Sequence, residues 1–401
     1  MAIELSNLTF TNQDDIVPLV GVEKIFNTGI TSTLAGNDII TGDSGNNSST
    51  SPNRFSGVTN TGTLNTDGGN DILTGIFNDQ NLNFFIGLGI DNRGGTINTG
   101  DGNDTITGIV QINRRAFGII YTGGIIDTGD GNDAITGISP RGGGISGQNG
   151  IINTGTGNDT ITGTTSLGTG ISFGNGGSVD TGDGNDVITG DAGNSGAGIS
   201  NFSIFNSGDG NDIINGNGAI FGIDNNGPMN TSDGNDIITG TSGNGIGILN
   251  SSRQFPNDLA GSTIDTGDGD DIITGVGALG IQNDGIINTG NGKDSIIADG
   301  SFDGIGSVFL GNGKDYLKGF GRGNFNGGNG QDTLELTVGT YSIEISETTV
   351  NFIQTNVPPN PFNPTYNGTI IMKTSEFEEL ITGSITRNFS SLTNGQIIVV
   401  A

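Results

Sequence analysis

Short apolar stretches alternate with runs of Gly, Asn, Asp and Thr along nearly the whole chain. No stretch carries apolar residues at helical spacing over enough turns to form a helix. The apolar stretches read instead as short strands with alternate positions facing inward. They also recur. NTGDGNDTITG around Asp104 returns as DTGDGNDAITG around Asp133, NTGTGNDTITG around Asp159 and DTGDGNDVITG around Asp186. With the second acid of each copy as an anchor, the series is Asp38, Asp71, Asp104, Asp133, Asp159, Asp186, Asp212, Asp236, Asp271, Asp294, Asp315 and Asp332. Neighbouring anchors are 17 to 35 residues apart, so the period is loose while the motif is strict.

Two residues before every anchor is Gly, and two residues after it is Ile or Leu. Four residues before, nine of the twelve are Gly; Leu34, Asp67 and Ser232 are the exceptions. The unit is G-x-G-x-D-x-(Ile/Leu)-x-G. Alternate glycines predict a backbone that visits left-handed conformations. The aliphatic residue predicts an inward strand position, and the Gly after it, such as Gly108 or Gly240, predicts a further turn. A Gly-Ile pair recurs mid-unit (Gly118-Ile119, Gly144-Ile145, Gly247-Ile248), and an apolar–Asn/Asp–Thr step leads into the next loop (Ile97-Asn98-Thr99, Ile264-Asp265-Thr266).

Each unit thus holds three short apolar segments and cannot bury its own apolar face. Stacked units can, which predicts an all-β fold, a parallel β-solenoid of about twelve coils. The solenoid is expected over residues 31–336, with a short N-terminal cap over 1–30 and a β-rich C-terminal cap over 337–401. Longer units are expected to carry their excess as loops at Asp43–Arg54 and Asn250–Gly261.

Charge sharpens this picture. The chain has 42 acids, 13 Lys and Arg, and no His, Cys or Trp, for a net charge of −29. That balance argues against nucleic acid and against anionic membranes. No apolar run approaches the roughly 20 residues of a membrane span, and Met1–Phe10 lacks the basic start and apolar stretch of a secretory leader. Disulfides and thiolate or imidazole metal sites are excluded. Only 8 of the 42 acids are Glu, and none falls between Glu23 and Glu335. Solubility does not explain the omission; tight turns and oxygen-rich metal loops do.

Stacking makes the acids a problem. Equivalent residues in adjacent coils lie about 4.8 Å apart, where two bare carboxylates repel by roughly 3–4 kcal/mol at an effective dielectric near 20. The column holds the anchors and, three residues earlier, the second acids Asp101, Asp130, Asp183, Asp209, Asp233 and Asp268. Lys293 and Lys314 are the local exceptions. A hard divalent cation relieves the column. Calcium takes six to eight oxygens and accepts backbone carbonyls beside Asp, whereas magnesium prefers near-ideal octahedra, and zinc and copper lack their usual ligands here. About ten to twelve ions, one per loop, would offset most of the charge.

At this point the residues resemble the RTX, or hemolysin-type, calcium-binding nonapeptide G-G-x-G-x-D-x-U-x, with U a large aliphatic. Gly327-Gly328-Asn329-Gly330-Gln331-Asp332-Thr333-Leu334 matches in full; most other copies carry Thr or Ser at the first position, and the resemblance runs from Thr33 to about Leu336. It implies calcium between loops of successive coils, held by backbone carbonyls and by the twelve anchors, with the second acids as further candidates. It also implies type I secretion, an uncleaved C-terminal signal, and folding outside the cell when calcium binds. The tail Gly395–Ala401 is similar to the apolar end of such signals. The departure is length: the family packs nonapeptides end to end at about eighteen residues per coil, while most units here are longer, which suggests ions along one edge of a wider coil.

The expected function is therefore a secreted or cell-surface calcium-binding solenoid with a structural or adhesive role and no catalysis. Its expected partners are calcium and a cell-surface polysaccharide or another surface protein. The alternatives are a carbohydrate-active β-helix enzyme of the lyase or epimerase class, which rests on fold analogy, and an ice-binding solenoid. The row Asn98, Asp127, Asn153, Asp180, Asn206, Asn230, Asp265 and Asn288 reads as a hydrogen-bond ladder. Phe84, Phe85, Phe117, Phe173, Phe202 and Phe205 read as packing residues, and Arg114-Arg115 as a solvated pair.

Overall fold

The structure, a computed structural model, describes residues 2–18, 23–45, 56–79, 86–112, 115–251, 261–355 and 368–401. The chain divides into two compact units, Met1–Asp224 and Asn225–Ala401, and each is a parallel β-solenoid. In the first unit a coil holds three strands. One coil runs through Thr105–Val110, Arg115–Ile120 and Ile125–Asp127 before the acidic loop. Each strand pairs in parallel with its counterparts one coil away. Ile106 stands between Leu73 and Ile135, Ile119 between Ile90 and Ile145, and Ile126 between Ile97 and Ile152. All nine are buried, so three aliphatic files form the core. In two coils the first and second strands fuse into Ala134–Gly147 and Thr160–Phe173.

At most copies the glycine after the motif does not turn the chain. Gly108 lies inside Thr105–Val110, where a Cβ would come within 2.2 Å of the Gly118 carbonyl oxygen on the second strand. The same clash would arise at Gly137 against Gly144 and at Gly190 against Gly198, and in the second unit at Gly240 against Gly247 and Gly275 against Gly280. The first and second strands therefore touch backbone to backbone across the interior. The motif glycine and the glycine of the Gly-Ile pair are the two halves of one contact, a relation that one-dimensional spacing does not display.

A second interior feature also lacked a sequence expectation. Asn27 donates to Asn60, and Asn60 to Asn92, both at 2.8 Å and fully buried. In the second unit Asn225 donates to Asn250 at 2.9 Å and Asn250 to Asn283 at 2.8 Å. The spare amide hydrogens of Asn60 and Asn250 reach the Thr96 and Ile286 carbonyls. A side chain that both donates and accepts can repeat down a dry column without leaving a polar atom unpaired.

The stack begins early and ends by changing direction. Ala2–Glu4 pairs in parallel with Lys24–Asn27, and Ile16–Val17 with Ile39–Asp43, so the segment expected as a cap already carries strands of the stack. In the second unit the coils shorten, and Asn291–Gly292, Asn312–Gly313 and Asn329–Gly330 pair as a small parallel sheet on the acidic edge. After Leu336 the pairing becomes antiparallel: Gly339–Ser346 pairs with Thr349–Thr355 and with Ile397–Val400, and Glu379–Thr382 with Ile385–Asn388. Glu379–Thr382 also continues the parallel ladder of Thr333–Leu336, and so covers that open strand edge. The insertions expected at Asp43–Arg54 and Asn250–Gly261 fall mostly outside the described residues, as do Phe84 and Phe85.

The glycine contact yields a test. Gly137→Ala forces a methyl against the Gly144 carbonyl and should destabilise by about 1–3 kcal/mol. Thr136→Ala, on the outward position beside it, should change stability by less than about 0.5 kcal/mol. Equal effects in denaturant titrations would contradict the backbone contact.

Candidate metal centre

The acidic loop is built by backbone geometry before any charge is considered. Four residues before the anchor the chain is left-handed at every copy for which a glycine stands there, for example Gly100 at φ 86° and Gly129 at φ 84°. Leu34, Asp67 and Ser232 adopt the same conformation at φ 70°, 63° and 59°, although each carries a side chain. The loop path thus overrides residue preference, and the three exceptions to the glycine rule bear the strain. Two residues before the anchor, a Cβ on Gly131 would come within 1.6 Å of the Gly102 carbonyl oxygen. The carbonyls of these glycines therefore point along the stack towards the next loop.

The anchors stand in a common file within each unit. In the first unit the backbone N–H of each donates to Oδ1 of the anchor one coil later: Asp38 to Asp71, Asp71 to Asp104 and Asp104 to Asp133 at 2.7 Å, Asp133 to Asp159 at 2.8 Å, Asp159 to Asp186 at 2.7 Å, and Asp186 to Asp212 at 2.8 Å. In the second unit Asp236 donates to Asp271, Asp271 to Asp294, Asp294 to Asp315 and Asp315 to Asp332, at 2.8–2.9 Å. A counter-running file stands beside it. The N–H of Asn103 donates back to Asn70, that of Asn132 to Asn103, and that of Asn158 to Asn132, each at 2.7 Å. Where it is Asn or Asp, the residue before the anchor therefore holds the next coil, and the anchor holds the previous one.

Two members of the file escaped the sequence reading. The N–H of Asp15 donates to Asp38 Oδ1 at 2.8 Å, and that of Asp332 donates to Glu378 Oε2 at 2.8 Å. Asp15 lacks the preceding glycines, and Glu378 is the longer acid. Both nevertheless keep an aliphatic residue two positions on, Val17 and Leu380, and that reduced signal is the one that could have found them.

The anchors are buried, and in ten of them the second carboxylate oxygen has no hydrogen-bond partner. Oδ2 of Asp38, Asp71, Asp104, Asp133, Asp159, Asp186, Asp271, Asp294, Asp315 and Asp332 is buried with no hydrogen-bond partner. A threonine hydroxyl lies beside most of these carboxyls and favours the ionised form, as Thr66 does at Asp71 and Thr99 at Asp104; Thr66 also donates to the Thr99 carbonyl at 3.2 Å, and Thr99 to Thr128 and Thr128 to Thr154 at 3.3 Å. Burial raises the anchor carboxyls. Asp133, Asp271, Asp294 and Asp332 rise to about 7, and Asp71, Asp186 and Asp315 to about 6. Neighbouring carboxylates add to the rise, as Asp271 and Asp315 do at Asp294, while the backbone N–H of Asp271 and the Thr289 hydroxyl oppose it. Asp38, Asp104 and Asp159 are also raised, again chiefly by burial.

The second acids occupy a different place. Asp101, Asp130, Asp183, Asp209, Asp233 and Asp268 are exposed on the outer side of the loop. Their backbones join the stack, as where the Gly102 N–H donates to the Asp130 carbonyl at 2.7 Å. Asp130 accepts from Thr156 at 2.9 Å and Asp268 from Asn291 at 2.6 Å. The row at Asn98 supplies hydrogen-bonded steps, with Asn153 on Asp127 and Asn206 on Asp180 at 3.0 Å, and Asn288 on Asp265 at 2.9 Å. Phe173 and Phe205 are core residues with ring centroids 5.7 Å apart.

Among the described residues no three acidic side chains converge on one point. Carboxylates therefore come to any bound ion singly or in pairs along the file, and backbone carbonyls must make up the rest of its shell. That donor set suits calcium, which accepts mixed carbonyl and carboxylate oxygens. A buried oxygen without a partner, repeated coil after coil, is a place where an ion is wanted.

No known protein-family model matches the chain, and no curated protein matches it. Among solved structures it is similar to a hyperactive, Ca2+-dependent, beta-helical antifreeze protein from an Antarctic bacterium, with TM-score 0.44 and 18% identity over 96% of each chain.

The raised anchors set a pH dependence. Unfolded Asp titrates near 3.9, so between about pH 4 and pH 7 the metal-free folded chain binds more protons than the unfolded one. Stability must then fall as pH rises through that window. Metal-free protein is expected to melt at a higher temperature at pH 5 than at pH 8. Asp133→Asn, which removes one buried charge, should stabilise the metal-free form at pH 8 by on the order of 1–3 kcal/mol. A higher melting temperature at pH 8 than at pH 5, or a destabilised Asp133→Asn, would contradict this assignment.

Proposed function

We propose that this chain is a calcium-binding β-solenoid of the RTX type, secreted and then folded by calcium outside the cell, with a structural or surface role and no catalysis. The observation that carries the reading is the file of half-satisfied buried anchors. Without a cation, coil after coil buries another carboxylate whose ionised form is opposed by burial and by its neighbours. With one, that carboxylate becomes a ligand and its neighbour's charge ceases to repel. Asp38, Asp71, Asp104, Asp133, Asp159, Asp186, Asp212, Asp236, Asp271, Asp294, Asp315 and Asp332 would hold the ions together with loop-glycine carbonyls. Bound calcium would supply positive charge and coordination, fixing the spacing between coils. The exposed second acids would serve as outer oxygens and attract the ion to the edge.

Secretion fits the same physics. A chain whose stack is weakened at low calcium is readily unfolded where calcium is scarce and held folded where it is plentiful.

The test is a melting experiment on the full chain. Each site adds about 2.7 kcal/mol when calcium exceeds its dissociation constant a hundredfold, so several sites should raise the melting temperature by well over about 10 °C. Excess chelator should reverse the gain, and magnesium should give little of it. Superimposable melts in calcium and in chelator would end the proposal.

One observation favours ice binding as a second reading. Thr41, Thr74, Thr107, Thr136, Thr162 and Thr189 stand in register on the outward side of the first strands. Hexagonal shaping of ice crystals at micromolar protein would support it, and unshaped growth would remove it.

A further inference from the structure

The second strands of the first unit carry two neighbouring arginines that face no acid among the described residues. Arg115 and Arg141 are register partners on adjacent parallel strands, whose backbones lie about 4.8 Å apart. Both side chains are exposed, and neither has a carboxylate partner among the described residues. In a chain with 42 acids and 13 bases, two arginines placed side by side with no acid between them cannot be explained as neutralisation of the protein's own charge. Arg93 and Arg322, by contrast, are each paired with a buried Asp, at 2.7 Å to Asp91 and 2.6 Å to Asp303.

The two arginines flank an open groove of about 440 Å³, within the range of ligand clefts, roughly 300–1,000 Å³. Phe117 lies on the same strand, two residues from Arg115, and is only partly buried. Its ring reaches across to the next coil, where a Cβ on Gly143 would come within 2.9 Å of it. Gly142, Gly143 and Gly168 leave the floor bare, and the hydroxyls of Ser146, Thr169 and Ser172 line the far side. The groove thus offers two forked cations, one aromatic face and a row of hydroxyls on a rigid sheet.

We propose that this groove binds a short stretch of an acidic glycan bearing carboxylate groups. An arginine fork matches a carboxylate with two parallel hydrogen bonds. The Phe117 face suits the apolar side of a pyranose ring, and the hydroxyls suit the ring's own. Sites one strand spacing apart along the stack suit a linear polymer lying across the coils. Nucleic acid fits poorly, since its phosphate track demands many cations and the chain is otherwise acidic. The inference stands on the arginine groove and does not depend on the calcium reading.

The test is calorimetric titration of the full chain, in calcium-containing buffer at low salt, with uronate oligosaccharides of about four residues. The uncharged oligosaccharide of the same linkage and a short single-stranded DNA serve as comparisons. The wild type should bind the uronate oligomer and neither comparison, and binding should weaken with salt. Arg115→Ala/Arg141→Ala should weaken it at least tenfold, and Phe117→Ala by several-fold. Arg115→Lys/Arg141→Lys, which keeps the charge but loses the fork, should fall between and guards against a misfolded alanine variant. Lys373→Ala, in the second unit, should bind as wild type does. No binding by the wild type, equal binding of the uncharged oligomer or of DNA, or an unchanged double-alanine variant of native circular dichroism would overturn the proposal.

Discussion

Each coil is held to its neighbour by a carboxylate that accepts a backbone N–H across the stack, and the rest of the structure depends on that clasp. A carboxylate has two oxygens and the clasp uses one. Short reach matters, because the acid must bond a backbone one strand spacing away while its own backbone makes the parallel ladder. Asp does this inside the stack. Glu stands in that place at Glu378, where a cap strand continues the ladder. The near absence of Glu from the repeat is thus a geometric selection before it is an electrostatic one.

The clasp has an energetic consequence. A charge-assisted hydrogen bond stabilises the coil contact, but burying the second oxygen opposes ionisation and raises the anchors towards neutrality. Burial outweighs the hydrogen bond, so the carboxyls are carried up towards neutral pH and the file is poised there. Protons or a divalent cation would each tip it, the cation at neutral pH. The interior features are indifferent to this balance. The glycine backbone contact and the asparagine ladders hold the coil's cross-section whether or not the edge is charged, which leaves the acidic edge as the part that responds to conditions.

Much of this was legible in the residues. The G-x-G-x-D-x-(Ile/Leu) motif located the loops, the anchors and one aliphatic file, because all three depend on local backbone geometry that repeats with the motif. Gly108 was misread as a turn because a glycine beside strand residues looks alike whether it bends the chain or admits another backbone. Only the partner, Gly118, distinguishes the two, and that partner is set by the fold. Asp15 and Glu378 were missed because end coils relax the glycine pattern and keep the clasp. The asparagine ladder of Asn27, Asn60 and Asn92 left no mark, since a buried Asn and a turn Asn have the same letter. The arginine groove was hidden for a related reason: Arg115 and Arg141 are far apart in sequence and become neighbours only when the coils stack.

The central claim is that the free Oδ2 atoms are ligands. Long-wavelength anomalous diffraction from crystals grown in calcium tests it most directly. The account predicts a row of anomalous peaks along the acidic edge, each about 2.3–2.6 Å from an anchor Oδ2 and repeating near the strand spacing. Well-ordered crystals in which those oxygens meet only water or protein donors, with no peak beside them, would contradict it.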